Sequence, residues 1–184
     1  MEASLIYYTR KLIQRQMTSH KLRAEWSFTL EGVEKTVSLG KALARAVSSP
    51  GVAAFFGGLG TGKTTLIQAL GAALGLEDPV VSPSYTIVNH YPGGRLPLIH
   101  VDFFRLEKEH ELLEIGIDEL FSGNGLICVE WADHAARFLP GERLEIHLSC
   151  QGPERRGVRL RLFEDLWPRM DAAITGWIER NISV

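Results

Sequence analysis

Apolar and polar residues alternate along Trp26-Ser27-Phe28-Thr29-Leu30, the two-residue period of a half-buried strand. Glu31-Gly32 ends that run. From Val33 to Val47 the apolar positions Val33, Val37, Leu39, Leu43, Ala44 and Val47 form one stripe of a helix. Ser48-Ser49-Pro50-Gly51 is a loop, and Val52-Ala53-Ala54-Phe55-Phe56 is a short apolar run suited to a buried strand. Leu66 to Leu74 is rich in Ala and Leu and reads as a helix stopped by Gly75. Pro83 forbids regular helix over Val80–Val88. The turn Pro92-Gly93-Gly94-Arg95 joins Thr86–Tyr91 to Leu96–Val101 as a hairpin, so part of the sheet is expected to be antiparallel.

The second half continues the alternation. Glu107 to Leu113 is a charged helix with Leu106, Leu112 and Leu113 turned inward, and Gly116–Phe121 is a further helical turn. Leu126-Ile127-Cys128-Val129 is a buried strand, and Asp133 caps a helix running through Phe138 to the stop at Pro140-Gly141. Arg143–Cys150 and Val158–Phe163 alternate on either side of Gln151–Gly157, a second hairpin whose tip carries arginines. Solvated arginines explain that tip, with RNA or partner contact as the rival reading. Asp165 to Ile182 closes the chain as an amphipathic helix with Leu166, Met170, Ala173, Ile174 and Trp177 on one side.

Between the strand at Val52–Phe56 and the helix at Leu66–Leu74 lies Gly57-Gly58-Leu59-Gly60-Thr61-Gly62-Lys63-Thr64-Thr65. Gly57 to Thr64 is Gly-x4-Gly-Lys-Thr, the phosphate-cradling P-loop, with strand before it and helix after it. Glycines let backbone N–H groups converge on an anion, and the helix N-terminus adds partial positive charge. The residues expected to bind the phosphates are Gly58, Leu59, Gly60, Thr61, Gly62, Lys63, Thr64 and Thr65, with Lys63 reaching the β- and γ-phosphates and Thr64 holding Mg²⁺. Two strands end in acids, at Asp102 and at Glu130. Either carboxylate suits the metal or the attacking water, and the pattern does not rank them. Ser82-Pro83-Ser84-Tyr85-Thr86 is either a switch-like loop near the nucleotide or a plain Ser/Pro turn. Trp131 is either a cover for the site or a rim aromatic.

Composition narrows the class. The 184 residues, 45% hydrophobic and 23% charged, fit one soluble α/β domain. A net charge of −2 gives no global basic field for nucleic acid or membrane. Cys128 and Cys150 form no CxxC pair and sit in apolar surroundings, so two buried free thiols in a reducing cytosol are expected. The six histidines show no zinc-ligand spacing. Residues 1–24 set Arg10, Lys11, Arg15, Lys21 and Arg23 against one acid, Glu2. This stretch is assigned as a dispensable N-terminal extension, with Met17 an alternative start, and residues 25–184 as the domain. A basic tail and a targeting segment are the rival readings.

Taken together, the P-loop, Ser82–Thr86, His100-Val101-Asp102-Phe103-Phe104-Arg105-Leu106, Glu111-Leu112 with Gly116-Ile117, and Val129-Glu130-Trp131 resemble the TsaE (YjeE) family, over about residues 26–165. Ser84 stands where the family usually has Thr. The resemblance implies an ATP-binding protein with weak Mg²⁺-dependent ATPase activity, needed for N6-threonylcarbamoyladenosine at position 37 of tRNA. It implies partnership with a threonylcarbamoyl-transfer subunit (TsaD) and its paralogue (TsaB), indirect contact with tRNA, and a cytoplasmic location away from membranes. It also implies Lys63 as the phosphate lysine, Thr64 as a metal ligand, Asp102 and Glu130 as the acids around metal and water, and Trp131 beside them. The expected fold is a single P-loop NTPase-like α/β domain, a mixed parallel and antiparallel sheet flanked by helices. A small-molecule kinase and a nucleotide-regulated binding module are the rival functions. Arg105 is a candidate arginine finger, with a salt bridge inside the fold as the equal alternative.

Overall fold

The computed structural model describes residues 20–106 and 108–182. Most of the proposed N-terminal extension and Glu107 lie outside the described residues. Seven strands form one mixed sheet in the order β1-β7-β6-β2-β5-β4-β3. They are β1 (Leu22–Glu31), β2 (Gly51–Phe56), β3 (Val88–Tyr91), β4 (Leu98–Asp102), β5 (Leu126–Glu130), β6 (Arg143–Cys150) and β7 (Arg155–Phe163). Strands β6, β2, β5 and β4 run parallel to one another, while β3 and β7 pair antiparallel with β4 and β6, and β1 antiparallel with β7. The α/β class and the mixed sheet are as expected. β1 begins at Leu22, inside the stretch assigned to the extension. The Lys21 N–H bonds the Glu164 carboxylate, and Arg23 pairs with Asp165.

Helices α1 (Val33–Ala46), α2 (Lys63–Leu74) and α5 (Met170–Asn181) belong to one face of the sheet. Their buried residues pack with Ala53, Phe55, Leu144, Ile146, Leu160 and Leu162. On the other face α3 (Glu109–Glu114), α4 (Ile117–Phe121) and a 3₁₀ turn at Ala132–Ala135 accompany a second core around Val52, Ala54, Val101, Ile127 and Val129. All five residues of β5 are buried because both faces of that strand are covered, which is why it reads as an unbroken apolar run. No described helix is long and apolar enough to cross a membrane.

Several boundaries differ from expectation for local reasons. The last helix starts at Met170 rather than Asp165, since Pro168 disfavours helical backbone at Trp167. Trp167 is instead fully buried and donates to the Ser49 carbonyl. The helix expected from Asp133 to Phe138 is only a 3₁₀ turn. Leu113 is 47% exposed, so Leu106 and Leu112 alone of the expected trio turn inward. Cys128 is buried, and burial pushes its thiol pKa up, but Cys150 is exposed because the end of β6 lies outside the core.

The arginine hairpin is also more ordered than its sequence suggests. β7 begins at Arg155, so Arg155 and Arg156 are strand residues rather than tip residues. Arg155 faces Glu31, Arg156 bonds nearby carbonyls, and Arg161 bridges Glu25 and Glu145. Among the described residues Arg159 alone of the four has no carboxylate or carbonyl partner, which weakens the RNA reading.

Two features of this framework carry testable consequences. A Cβ on Gly40 would lie 2.7 Å from Ala69 Cβ and 2.9 Å from the Leu66 carbonyl oxygen, so the approach of α1 to α2 requires a glycine. Gly40→Val is expected to lower unfolding stability by about 1–3 kcal/mol, read from urea denaturation. Glu145 is nearly buried, which alone would raise its pKa. Hydrogen bonds from His147 and Arg143 and the charges of Arg143 and Arg161 outweigh burial and hold it at about 2, against an ordinary 4.5. The folded value is the lower one, so this carboxylate stabilises the fold fully above about pH 4.5 and ceases to as pH falls towards about 2. Glu145→Gln should therefore lower the urea midpoint near neutral pH, and the gap from wild type should close across that acid window.

Candidate functional site

β2 ends at Phe56 and the chain turns through residues 57–62 before α2 starts at Lys63. A Cβ on Gly57 would lie 2.2 Å from the Leu148 carbonyl, and Gly62 has φ 100°, so neither position accommodates a side chain without strain. No side chain caps α2, which leaves its first N–H groups available to an anion. Thr61 Oγ1 donates to the Gly58 carbonyl at 2.9 Å and tightens the loop. Leu59, Gly60, Thr61, Gly62, Lys63, Thr64 and Thr65 all line one cleft of about 490 Å³. Gly58 does not line it, but its carbonyl accepts from both Thr61 and Lys63.

The parallel register of β4 and β5 sets Asp102 directly opposite Glu130 at the wall of this cleft. Glu130 Oε1 accepts from Thr64 Oγ1 at 2.7 Å and contacts His100 Nε2 at 2.9 Å. Asp102 is engaged differently. Its Oδ2 accepts from Ser82 Oγ at 3.2 Å and Ser84 Oγ at 2.5 Å, and its Oδ1 accepts from the Phe104 N–H at 2.9 Å. The two acids are therefore near each other but not equivalent. Glu130 is joined to the P-loop helix, while Asp102 ties the Ser82–Thr86 loop to the segment after β4. Ser84 makes the shorter of the two hydroxyl bonds, so the serine at that position keeps the contact a threonine would make.

Lys63 is 5% exposed and donates from Nζ to the carbonyls of Gly57 and Gly58 at 2.7 and 2.9 Å. Its Nζ also lies 4.2 Å from the centroid of the Trp131 ring. Burial lowers its pKa below the ordinary lysine value, while the carboxylates of Glu130, Asp102 and Asp133 pull the other way. Trp131 adopts the left-handed backbone conformation, φ 55° and ψ 43°, rare for a bulky residue and found where surroundings enforce it. That conformation turns the chain directly after Glu130 and sets the indole beside both Lys63 and Phe104.

The oxygens gathered here, one hydroxyl and two carboxylates, are hard ligands of the kind Mg²⁺ takes. Among the described residues no group of three or more His, Cys, Asp or Glu forms a metal site unaided.

Two parts of the site were not assigned from sequence. His100 is fully buried, and its other ring nitrogen lies 3.2 Å from the Val81 carbonyl, so it braces Glu130 from behind. The signal was a lone histidine in an otherwise apolar strand. The second is a hollow of about 460 Å³ beyond the P-loop, where Gly60, Thr61, Gly62 and Thr65 meet Val33, Glu34 and Thr36 of α1 and Arg156 of β7. No single motif joins these P-loop residues to Val33, Glu34, Thr36 and Arg156, because the latter come from distant parts of the chain.

The family model described as "Threonylcarbamoyl adenosine biosynthesis protein TsaE" matches residues 30–158. The chain belongs to the TsaE family. It is 40% identical over 126 residues to the tRNA threonylcarbamoyladenosine biosynthesis protein TsaE of Bacillus subtilis, covering 68% of this chain and 78% of that one. It is 34% identical over 143 residues to the protein of the same name from Streptomyces coelicolor, covering 74% and 96%. The fold is similar to the crystal structure of Bacillus subtilis YdiB, with a TM-score of 0.68 and 30% identity over 88% of this chain and 99% of that one. The TsaE match spans both acids, the P-loop and the Ser82–Thr86 loop.

The double role of Asp102 can be tested directly. Asp102→Ala leaves the Ser82 and Ser84 hydroxyls and the Phe104 N–H without their acceptor. Amide hydrogen exchange across residues 84–87 and at Phe104 is expected to speed up by about tenfold or more, with exchange in β5 unchanged. Asp102→Asn, which keeps an acceptor oxygen, should have a smaller effect.

Proposed function

We propose that the protein binds ATP with Mg²⁺ in the P-loop cleft and hydrolyses it slowly, in support of threonylcarbamoyl modification of tRNA adenosine 37. The observation that carries this reading is the convergence of Lys63, Thr64, Asp102 and Glu130 on one cleft floored by the P-loop. Membership of the TsaE family and the names of the relatives support the tRNA pathway. The phosphates lie along residues 58–65, with the γ end towards Glu130 and Asp102. The nucleoside lies towards the hollow lined by Val33, Thr36 and Arg156. Lys63 leaves the Gly57 and Gly58 carbonyls to meet the β- and γ-phosphates.

Thr64 and Glu130 would hold the cation, with Glu130 orienting the attacking water. Asp102 acts mainly as the anchor of the Ser82–Thr86 loop and would support the cation. Mg²⁺, when bound, would supply charge neutralisation. The protein's own contribution is positioning and electrostatic stabilisation. The protein works in the cytoplasm with the threonylcarbamoyl-transfer subunit TsaD and its paralogue TsaB, meeting tRNA only through them.

ATP turnover by the purified protein, alone and with the TsaD–TsaB pair, tests this for wild type and Lys63→Ala. Slow turnover alone, a rise with the pair and a loss of at least about 100-fold in the variant are expected. Fast turnover without the pair, or indifference to it, would overturn the partner-dependent reading.

A further inference from the structure

Arg105 projects from the segment after β4 onto the wall of the same cleft that Lys63, Thr64, Asp102 and Glu130 line. Among the described residues its contact is the ring of Tyr85, 4.4 Å from guanidinium carbon to ring centroid. No described carboxylate pairs with it, whereas Arg143, Arg155 and Arg161 each face one. The internal salt bridge expected as its alternative role is absent among the described residues. An exposed guanidinium on the wall of this cleft, lying over an aromatic ring and without a carboxylate partner among the described residues, is arranged to meet an anion.

The backbone that carries it is fixed. Phe103 and Leu106 bracket Phe104-Arg105 in a turn closed by the Leu106 N–H on the Phe103 carbonyl at 3.0 Å. His134 Nδ1 lies 2.9 and 2.8 Å from the carbonyls of those same two residues and clamps the turn from below. Tyr85 is 84% exposed, so its ring is not held by core packing. Its position comes from its neighbour Ser84, bonded to Asp102. The same carboxylate bonds the N–H of Phe104, the neighbour of Arg105. Asp102 thus sets both partners of the Tyr85–Arg105 stack, one through each oxygen.

The position along the cleft decides which phosphate is met. Lys63, Thr64 and the two acids mark the γ end, and the hollow on the nucleoside side contains neither Arg105 nor Tyr85. We propose that Arg105, held by the Tyr85 ring, contacts the γ-phosphate and makes the site discriminate nucleoside triphosphate from diphosphate. This rests on the nucleotide-binding reading above. Arg105 is the ligand-contacting group and Tyr85 a positioning residue. The stack lets the Ser82–Thr86 loop and the cleft wall respond together to the third phosphate.

The test is the affinity of the full chain, with Mg²⁺, for a non-hydrolysable ATP analogue and for ADP. Arg105→Ala is expected to weaken the analogue about tenfold while ADP changes by less than about twofold. Tyr85→Ala should shift the analogue in the same direction by a smaller factor, and the double variant should be no worse than Arg105→Ala, since both remove one contact. Tyr85→Phe, which keeps the ring, should restore discrimination. Equal weakening of both nucleotides in Arg105→Ala, or no change in either, overturns the assignment while leaving the nucleotide site intact. Failure of wild type to bind either nucleotide overturns the nucleotide reading and this assignment with it.

Discussion

The parallel register of β2, β5 and β4 is the constraint on which the site depends. Phe55 pairs with Glu130, and Glu130 with Asp102, so the three strands end together at one edge of the sheet. The chain then leaves each strand in a different direction. β2 turns into the P-loop, β5 turns sharply at Trp131, and β4 gives way to the Phe103–Leu106 turn. A one-residue slip of β4 or β5 would carry its acid to the other face of the sheet, away from Thr64. Because β5 is buried on both faces, such a slip is prevented by packing from both cores rather than by the hydrogen bonds of the ladder alone.

That alignment also explains how so much charge is tolerated in a nearly dry place. Lys63, His100, Asp102 and Glu130 are all at most 5% exposed. Burying a charge is costly unless it is paired and hydrogen-bonded. Here none is isolated. Lys63 has two carbonyls and an indole face, Glu130 has a hydroxyl and an imidazole, and Asp102 has two hydroxyls and a backbone N–H. Several of these partners are interchangeable with those a nucleotide would bring. Lys63 can trade carbonyls for phosphate oxygens, and Thr64 can trade Glu130 for a cation. The cluster is therefore satisfied by the protein's own groups and still available to a ligand.

The half of the sheet formed by β6, β7 and β1 solves a different problem. One face packs on α1 and α5, while the other carries Glu25, Arg143, Glu145, His147 and Arg161 in linked ion pairs. Among the described residues no helix covers that face, and cross-strand pairing of opposite charges suits it to solvent. That pairing also takes in Arg161, one of the four arginines that gave the β6–β7 hairpin its rival reading as an RNA or partner contact.

Much was legible in the sequence because the signals were local. The P-loop spacing, the strand before it and the helix after it placed residues 58–65, and alternation placed β1, β6 and β7 to within a few residues. The hairpin turn at Pro92–Arg95 correctly forced an antiparallel edge on a parallel sheet. What remained undecided depended on contacts between distant residues. Two strands ending in acids could not be ranked by pattern, since the difference lies in their partners: Thr64 and His100 for Glu130, Ser82, Ser84 and Phe104 for Asp102. His100 carried no assigned role in the sequence because its partner Glu130 lies on a neighbouring strand. Arg105 was left between a salt bridge and a phosphate contact, and its contact with the Tyr85 ring arises only on folding. The sequence by itself determined which chemistry is present, because a phosphate loop is contiguous along the chain. Only the tertiary structure decided which carboxylate serves the loop and which serves the helix, because side-chain partners are chosen by strand register and packing across the sheet.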